Sequence, residues 1–282
     1  MQAMLRIWTG VVVVSFAVAL PARAQAPNEF QPQVGQAGKD VIWVPTPELL
    51  VERMLTMAQT TSADQVIDLG SGDGRIAIMA AKKFGAQSLG IEYNPDMVAL
   101  SQRNAQAGGV AGKAEFRRAD IFETDFSKAT VIAMYLLPGL NMRLRVKLEE
   151  MKPGTRIVSH QFDMGDWDPD ETDDYDGRRA YLWIVPARVQ GSWKLSFPGA
   201  KGMREVDLTF NQRHQNIVGH VRLGPISAGL REPRLRGDAL RFSFVDETGE
   251  LHEFLGRVIG SSMEGALRTA SGGEGRWTAT KY

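Results

Sequence analysis

The 282-residue chain contains no cysteine, which removes disulfides, thiolate metal sites and cysteine nucleophiles together. Histidine is scarce, four residues in all. Three of them, His214, His220 and His252, are scattered through alternating segments where surface or core placement is the ordinary outcome, so no metal is assigned. Net charge of one sign is also lacking: 33 basic residues balance 33 acidic ones, and no global field calls for nucleic acid. The balance is uneven along the chain, with 17 basic and 23 acidic residues over 25–186 against 14 and 10 over 187–282. That supports a boundary near Pro186. Long apolar runs are missing except over residues 7–20, a stretch short for a membrane span. Arg6 precedes it and Ala22-Arg23-Ala24 follows, so residues 1–24 read as a signal peptide, with an uncleaved anchor as the other reading. Either reading makes the protein exported, periplasmic or membrane-associated. Residues 25–40, rich in Gln, Pro and Gly, read as a linker.

What is present is the stretch Val66-Ile67-Asp68-Leu69-Gly70-Ser71-Gly72-Asp73-Gly74-Arg75. An apolar run ends in an acid, passes through glycines at every second position and opens into a helical segment. This is the first strand, loop and helix of a nucleotide-binding α/β domain. The glycines let the backbone turn and a ligand approach where a Cβ would intrude. The spacing differs from the Gly-x-Gly-x-x-Gly dinucleotide fingerprint, and Asp68 and Asp73 would repel a pyrophosphate. A nicotinamide dehydrogenase is therefore the poorer reading. S-adenosylmethionine, with its cationic sulfonium and amino group, is the better fit.

Val44-Pro45-Thr46-Pro47 precedes a helix that Thr46 can cap. Later strands end at Glu92, at Asp120 and at Tyr135-Leu136-Leu137-Pro138. Asn94-Pro95 opens one intervening helix, residues 140–151 form another, and further strands begin at Arg156 and Ala180. This alternation implies right-handed crossovers, a parallel sheet and a crevice at the strands' carboxyl ends. There Glu92 can accept both hydroxyls of a ribose and Asp120 an adenine amino group, although each alone is as readily a solvated strand-end acid. Residues 162–177 carry eight acids. They read as a solvated loop or as a surface that attracts a cationic acceptor such as lysine. Asp166-x-Asp168-x-Asp170 lacks the glycine and glutamate of a calcium loop.

From Val189 the pattern changes to period two, in Trp193-Leu195-Phe197, Val206-Leu208-Phe210, Ile217-Gly219-Val221, Leu240-Phe242-Phe244, Phe254-Gly256-Val258 and Trp277-Ala279. Turn residues separate these runs. Residues 187–282 therefore read as a small antiparallel all-β domain, barrel or sandwich, with a structural or partner-recognising role.

The stretches 68–75, Glu92-Tyr93-Asn94-Pro95 and Asp120-Ile121-Phe122 together resemble class I S-adenosylmethionine-dependent methyltransferases. More narrowly, the chain is similar to the family of mitochondrial lysine methyltransferases acting on the ATP synthase c subunit and the adenine nucleotide translocase. The similarity extends to Val44-Pro45-Thr46, to Tyr135–Pro138 and to Trp167-Asp168-Pro169, and covers residues 41–186. It implies a Rossmann-like sheet with flanking helices. It places Asp68, Gly70, Gly72, Asp73 and Gly74 at the methionine end of the cofactor, Glu92 at the ribose, and Asp120 with Ile121 at the adenine. It further implies that the Pro45 segment covers the site and that Leu136, Leu137 and Pro138 face the acceptor. Tyr135 would orient an amine or fill the core, and no general base stands out. The implied function is N-methylation of protein lysine. A small-molecule methyltransferase, and a non-catalytic module of the same fold holding an envelope partner, are the alternatives. Oligomeric state is not legible.

Overall fold

The computed structural model describes residues 30–199 and 202–282, so the signal-peptide reading of residues 1–24 lies outside the described residues. In chain order the first half forms α1 (Glu48–Met57), β1 (Gln65–Leu69), α2 (Arg75–Phe84), β2 (Gln87–Glu92), α3 (Pro95–Ala107), β3 (Ala114–Arg118), β4 (Val131–Met134), α4 (Pro138–Leu148), β5 (Arg156–His160), β6 (Glu171–Tyr175) and β7 (Arg178–Ile184). The sheet order is β3-β2-β1-β4-β5-β7-β6. β1 to β5 run parallel, and β7 and β6 complete the edge antiparallel. The order reverses between β1 and β4, which opens a crevice at the strands' carboxyl ends. Helices cover both faces, which is why all four residues of β4 and residues 66–69 of β1 are buried. Val66, Val131 and Val158 pack against α1 and α2. Ile67, Ile132 and Ile157, each next to one of those valines in its strand, pack on the other face with Leu144 and Leu148 of α4.

Asn94 caps α3 as expected, its side chain accepting from the Asp96 amide 2.9 Å away with Pro95 in the first turn. Thr46 does not cap α1. Pro47 stands at that position, and the Thr46 hydroxyl is committed to His160 Nδ1 at 3.0 Å. Nor is the acidic segment a loop throughout, because residues 171–175 form β6. Five of its eight acids are ion-paired: Asp166 with Arg145 and Arg213, Glu171 with Arg236, Asp173 with Arg53, Asp174 with Arg179 and Asp176 with Arg178. That pairing relieves the repulsion that would keep a free acidic run open, and it leaves little bare charge to attract a lysine.

Residues 185–190 lead into β8 (Gly191–Gly199), β9 (Gly202–Arg213), β10 (Asn216–Leu223), β11 (Ile226–Gly229), β12 (Arg231–Arg236), β13 (Ala239–Val245), β14 (Leu251–Ile259), β15 (Ser262–Thr269) and β16 (Glu274–Lys281). All pair antiparallel in the order β11-β10-β9-β8-β16-β15-β14-β13-β12. The meander thus returns to its first strand, since β8 pairs with both β9 and β16. β11 and β12 are halves of one strand interrupted at Leu230, so the sheet is an eight-stranded up-and-down barrel with its seam between β10 and β12. Every large apolar residue of the period-two runs points inward, and Trp193, Phe197, Phe210, Phe242, Phe244, Phe254 and Trp277 fill the interior. An eight-stranded barrel is just wide enough to be filled by side chains. Both sheets lie in one compact unit, Pro32–Tyr282. They meet where Trp167 donates through Nε1 to Gln215 Oε1 (3.0 Å) and stacks on His214.

Candidate active site

The glycine loop leaves β1 with φ of +77° at Gly70, +55° at Gly72 and +84° at Gly74, values that favour glycine at all three. Their neighbours separate their roles. A Cβ on Gly70 would meet Leu136, and one on Gly72 would stand 2.8 Å from the Trp43 indole nitrogen, both beside a cleft of about 270 Å³. A Cβ on Gly74 would strike Phe116 and Ser101 at 2.7 Å. Gly74 therefore does not border the cleft; it lets α3 and β3 pack closely and precedes α2 at the N-cap.

Four acids expected in the site converge on this cleft, and three are already satisfied. Asp73 pairs with Arg75 at 2.6 Å, and Arg75 also donates to the Thr46 carbonyl. Glu92 accepts from the Gly72 and Asn94 amides at 3.0 and 2.9 Å. Asp120 accepts from the Phe122 amide at 2.8 Å and pairs with Lys39 at 2.6 Å. The Lys39 hydrogen bond is the main reason its carboxyl sits below the usual carboxylate range. Asp68 is the exception. It is buried, its Oδ2 has no hydrogen-bond partner, and burial, reinforced by Asp73 and Glu92, pushes its pKa up to about 8. The buried Ser71 hydroxyl beside it also lacks a partner. A bare buried carboxylate asks for a cation, and a strand-end carboxylate such as Glu92 suits a diol. This donor set fits S-adenosylmethionine.

The last part of the segment read as a linker, from Gly35 onward, is tied down over this cleft. Ala37 bridges Ile42, the Gly35 amide donates to the Trp43 carbonyl, and the Trp43 amide donates to the Gln36 carbonyl. The Lys39 ammonium, besides pairing with Asp120, lies 4.5 Å over the Tyr93 ring. Residues 36–46 thus form a lid, with Gly38, Lys39, Trp43 and Pro45 among the residues of its inner side. Composition alone gave no sign of it, because its order comes from partners about 80 residues away.

The cleft is also walled by Tyr135, Leu136, Leu137, Leu140 and Phe162, and Ile121 lines it next to Asp120. Pro138 is not among these residues; it is exposed and begins α4. Tyr135 is half-buried, and burial raises its phenol pKa, so it stays protonated at neutral pH. Its ring lies 3.8 Å from that of His160 at the end of β5. His160 is buried, and burial, with the Arg178 charge adding to it, lowers its pKa to about 4. It is neutral at physiological pH, and it joins the lid residue Thr46 to the ring behind which it stands. No motif marks His160; its one signal is its place at a strand's carboxyl end.

The ANTKMT methyltransferase domain family matches residues 68–171. A protein-lysine N-methyltransferase of Saccharolobus islandicus is 43% identical over 151 residues, 51% of this chain and 94% of that protein. The rat ATP synthase c-subunit lysine N-methyltransferase is 35% identical over 46% of this chain, which spans 60% of its length. Among solved structures, an RNA methyltransferase from Salinibacter ruber, in complex with S-adenosyl-L-homocysteine, is 50% identical over 52% of this chain and 96% of its own, with a TM-score of 0.51. With the strand order, the lid and the acid set around Asp68 in place, the chain belongs to the family of S-adenosylmethionine-dependent protein-lysine N-methyltransferases.

Proposed function

We propose that the acceptor is a lysine side chain of another protein. The observation that carries this reading is that the apolar side chains of Leu136, Leu137, Leu140 and Phe162 line the same cleft as Tyr135 and Asp68. Bound S-adenosylmethionine supplies an electrophilic methyl group on a positively charged sulfur. An amine attacks only as the free base, and apolar walls favour that form by stripping water from the ammonium. The proton leaves to solvent through the mouth. The Tyr135 oxygen would accept from an amine N–H and so orient the nitrogen lone pair for attack, the methyl group passing from sulfur to nitrogen. Holding the two centres in line is worth an effective concentration of about 10⁵ M or more.

Asp68, Gly70 and Ser71 would hold the amino-acid end of the cofactor, Glu92 the ribose, and Asp120 with Ile121 the adenine end. Calorimetry on the protein tests this: Glu92→Ala should weaken binding about 10- to 100-fold, the loss expected for a hydrogen bond to a charged group. Mass spectrometry of a protein fraction incubated with enzyme and S-adenosylmethionine should find methyl-lysine. The name of the Salinibacter ruber protein favours a second reading, an RNA acceptor. Methyl label appearing in RNA and not in protein would replace the first reading with the second. Export, with association with the cell envelope, remains part of the proposal on the strength of residues 1–24. It requires a supply of cofactor outside the cytoplasm, and N-terminal sequencing of the fractionated protein decides it.

A further inference from the structure

We propose that the exposed face of α4 is the track along which the acceptor protein docks, and that it takes an apolar segment flanked by acidic side chains. The proposal rests on the protein-lysine reading above. α4 buries Asn141, Leu144 and Leu148. Its opposite face, which on a surface helix is ordinarily polar, carries Pro138, Met142 and Val146 at successive four-residue steps. Met142 is 39% and Val146 65% exposed, and Leu137, which is 43% exposed, precedes α4 while lining the cleft. The stripe therefore starts at the mouth and runs about 12 Å from it. On the lid side the mouth is edged by Ile42 and Val44, 58% and 37% exposed.

Charge complementarity selects the occupant. Arg143 and Lys147 flank the stripe, also four residues apart. The Arg143 guanidinium lies 3.8 Å over the Phe122 ring, and Lys147 donates to the Phe122 carbonyl. Among the described residues neither has a carboxylate within ion-pair distance, whereas the neighbouring Arg145 is held by Glu149 and Asp166. Asp120 and Asp125 act on these two cations only from beyond ion-pair distance, and two cations so incompletely compensated beside an apolar stripe favour acids on the partner and disfavour bases. At the far end Glu149 meets His214 of the β9–β10 turn at 3.4 Å, so the barrel closes the track there.

The test uses the protein saturated with S-adenosyl-L-homocysteine and short fluorescent peptides with norleucine in place of lysine. One peptide carries Leu and Val with glutamate flanks, a second Ser and Gly, a third Leu and Val with lysine flanks. The first should bind about 10-fold more tightly than the others, and Met142→Glu and Val146→Glu should each cost about 5-fold or more, the scale of a buried apolar contact. An Arg143→Gln/Lys147→Gln double variant should abolish the preference for glutamate. Calorimetry with S-adenosyl-L-homocysteine should be unchanged in all variants, which controls for folding. Equal binding of the three peptides, or variants that bind as the wild type does, overturns the proposal. So does binding of phosphatidylglycerol vesicles without binding of any peptide, an outcome that assigns the face to a membrane. Selective peptide binding without methylation of the lysine-containing versions would sink the lysine reading and leave the track standing.

Discussion

Replacing Asp68 by asparagine separates what the cleft costs the fold from what it gives the cofactor. The pKa of Asp68 stands at about 8 against an ordinary 3.8, so ionising it without a bound cation costs on the order of 6 kcal/mol at about 1.4 kcal/mol per pH unit. Because the folded value is raised, the contribution to stability is fully present below about pH 4 and is lost as pH rises through about 8. Asparagine keeps the shape and removes the titration. Without cofactor, Asp68→Asn should melt at the wild-type temperature near pH 4 and progressively above it as pH rises to 8. If relaxation leaves half the cost, the gain at pH 8 is about 3 kcal/mol, or roughly 6–12 °C for a chain of this size. The same substitution should abolish most S-adenosylmethionine binding. Wild-type affinity should rise with pH between 6 and 8, up to about tenfold per unit, because the cation selects the ionised carboxyl; the variant's should be flat. Differential scanning fluorimetry and calorimetry across pH provide both readouts. An asparagine variant that melts lower at pH 8, or binds as tightly as the wild type, would refute the account of Asp68 as a bare acid awaiting a cation.

The two loop glycines should fail differently. Gly72→Ala places a Cβ against Trp43 beside the cleft and should weaken cofactor binding. Gly74→Ala should instead lower stability by about 1 kcal/mol or more while the folded fraction binds normally, as melting and calorimetry together would show. Tyr135→Phe should lower kcat about tenfold and leave the cofactor Kd alone, if the hydroxyl orients the amine. His160, its pKa depressed to about 4, supports the fold above pH 6.5, and that support is lost as pH falls through 4. His160→Phe should flatten that limb of the stability curve, and the pH–rate profile of the wild type should show no histidine ionisation between pH 5 and 8. Lys39→Ala should speed amide exchange over residues 36–43 in the absence of cofactor, since its ion pair with Asp120 ties the lid to the sheet.

β1, β2 and β3 of the first sheet were legible because each is followed by a recognisable signal, Asp68 before the glycines, Glu92 before Asn94-Pro95 and Asp120 before Ile121, whereas β6 was hidden in an acidic run whose charges are paired by distant arginines. The barrel was legible for a different reason, since a period of two with aromatics in register reports an inner face whatever the topology. β11, β12 and β15 were missed. Residues 226–236 carry a proline, a glycine and four charges that hide a strand lying at the seam, and Ser262–Thr269 alternates Met263 with a glycine rather than with another large residue. The resemblance implied a cover at Pro45, but the extension of the lid back through residues 36–40, and His160, were missed because their order is long-range. Lys39 is fixed by an acid 81 residues away and Thr46 by a histidine 114 residues away, and no local pattern encodes a partner at that distance.

The same long-range contacts explain how one cleft can hold several acids and still choose its ligand. Arg75 answers Asp73, Lys39 answers Asp120, and two amides answer Glu92. Each of these partners is placed by a loop or by the lid, so the acids at the edges stay satisfied in the empty cleft. Asp68 lies in a buried strand with only the Ala77 amide to answer it and one oxygen unpartnered, so its charge is deferred until a cation arrives. A neutral or anionic nucleotide would leave that acid either protonated or uncompensated, while a cationic one relieves both burial and the repulsion from Asp73 and Glu92. The product has one positive charge fewer than the cofactor, so the acids that draw the cofactor in hold the product less strongly. The ratio of the two affinities should therefore shrink in Asp68→Asn relative to wild type, and a ratio that survives the substitution unchanged would place the discrimination in the apolar lining of the cleft instead.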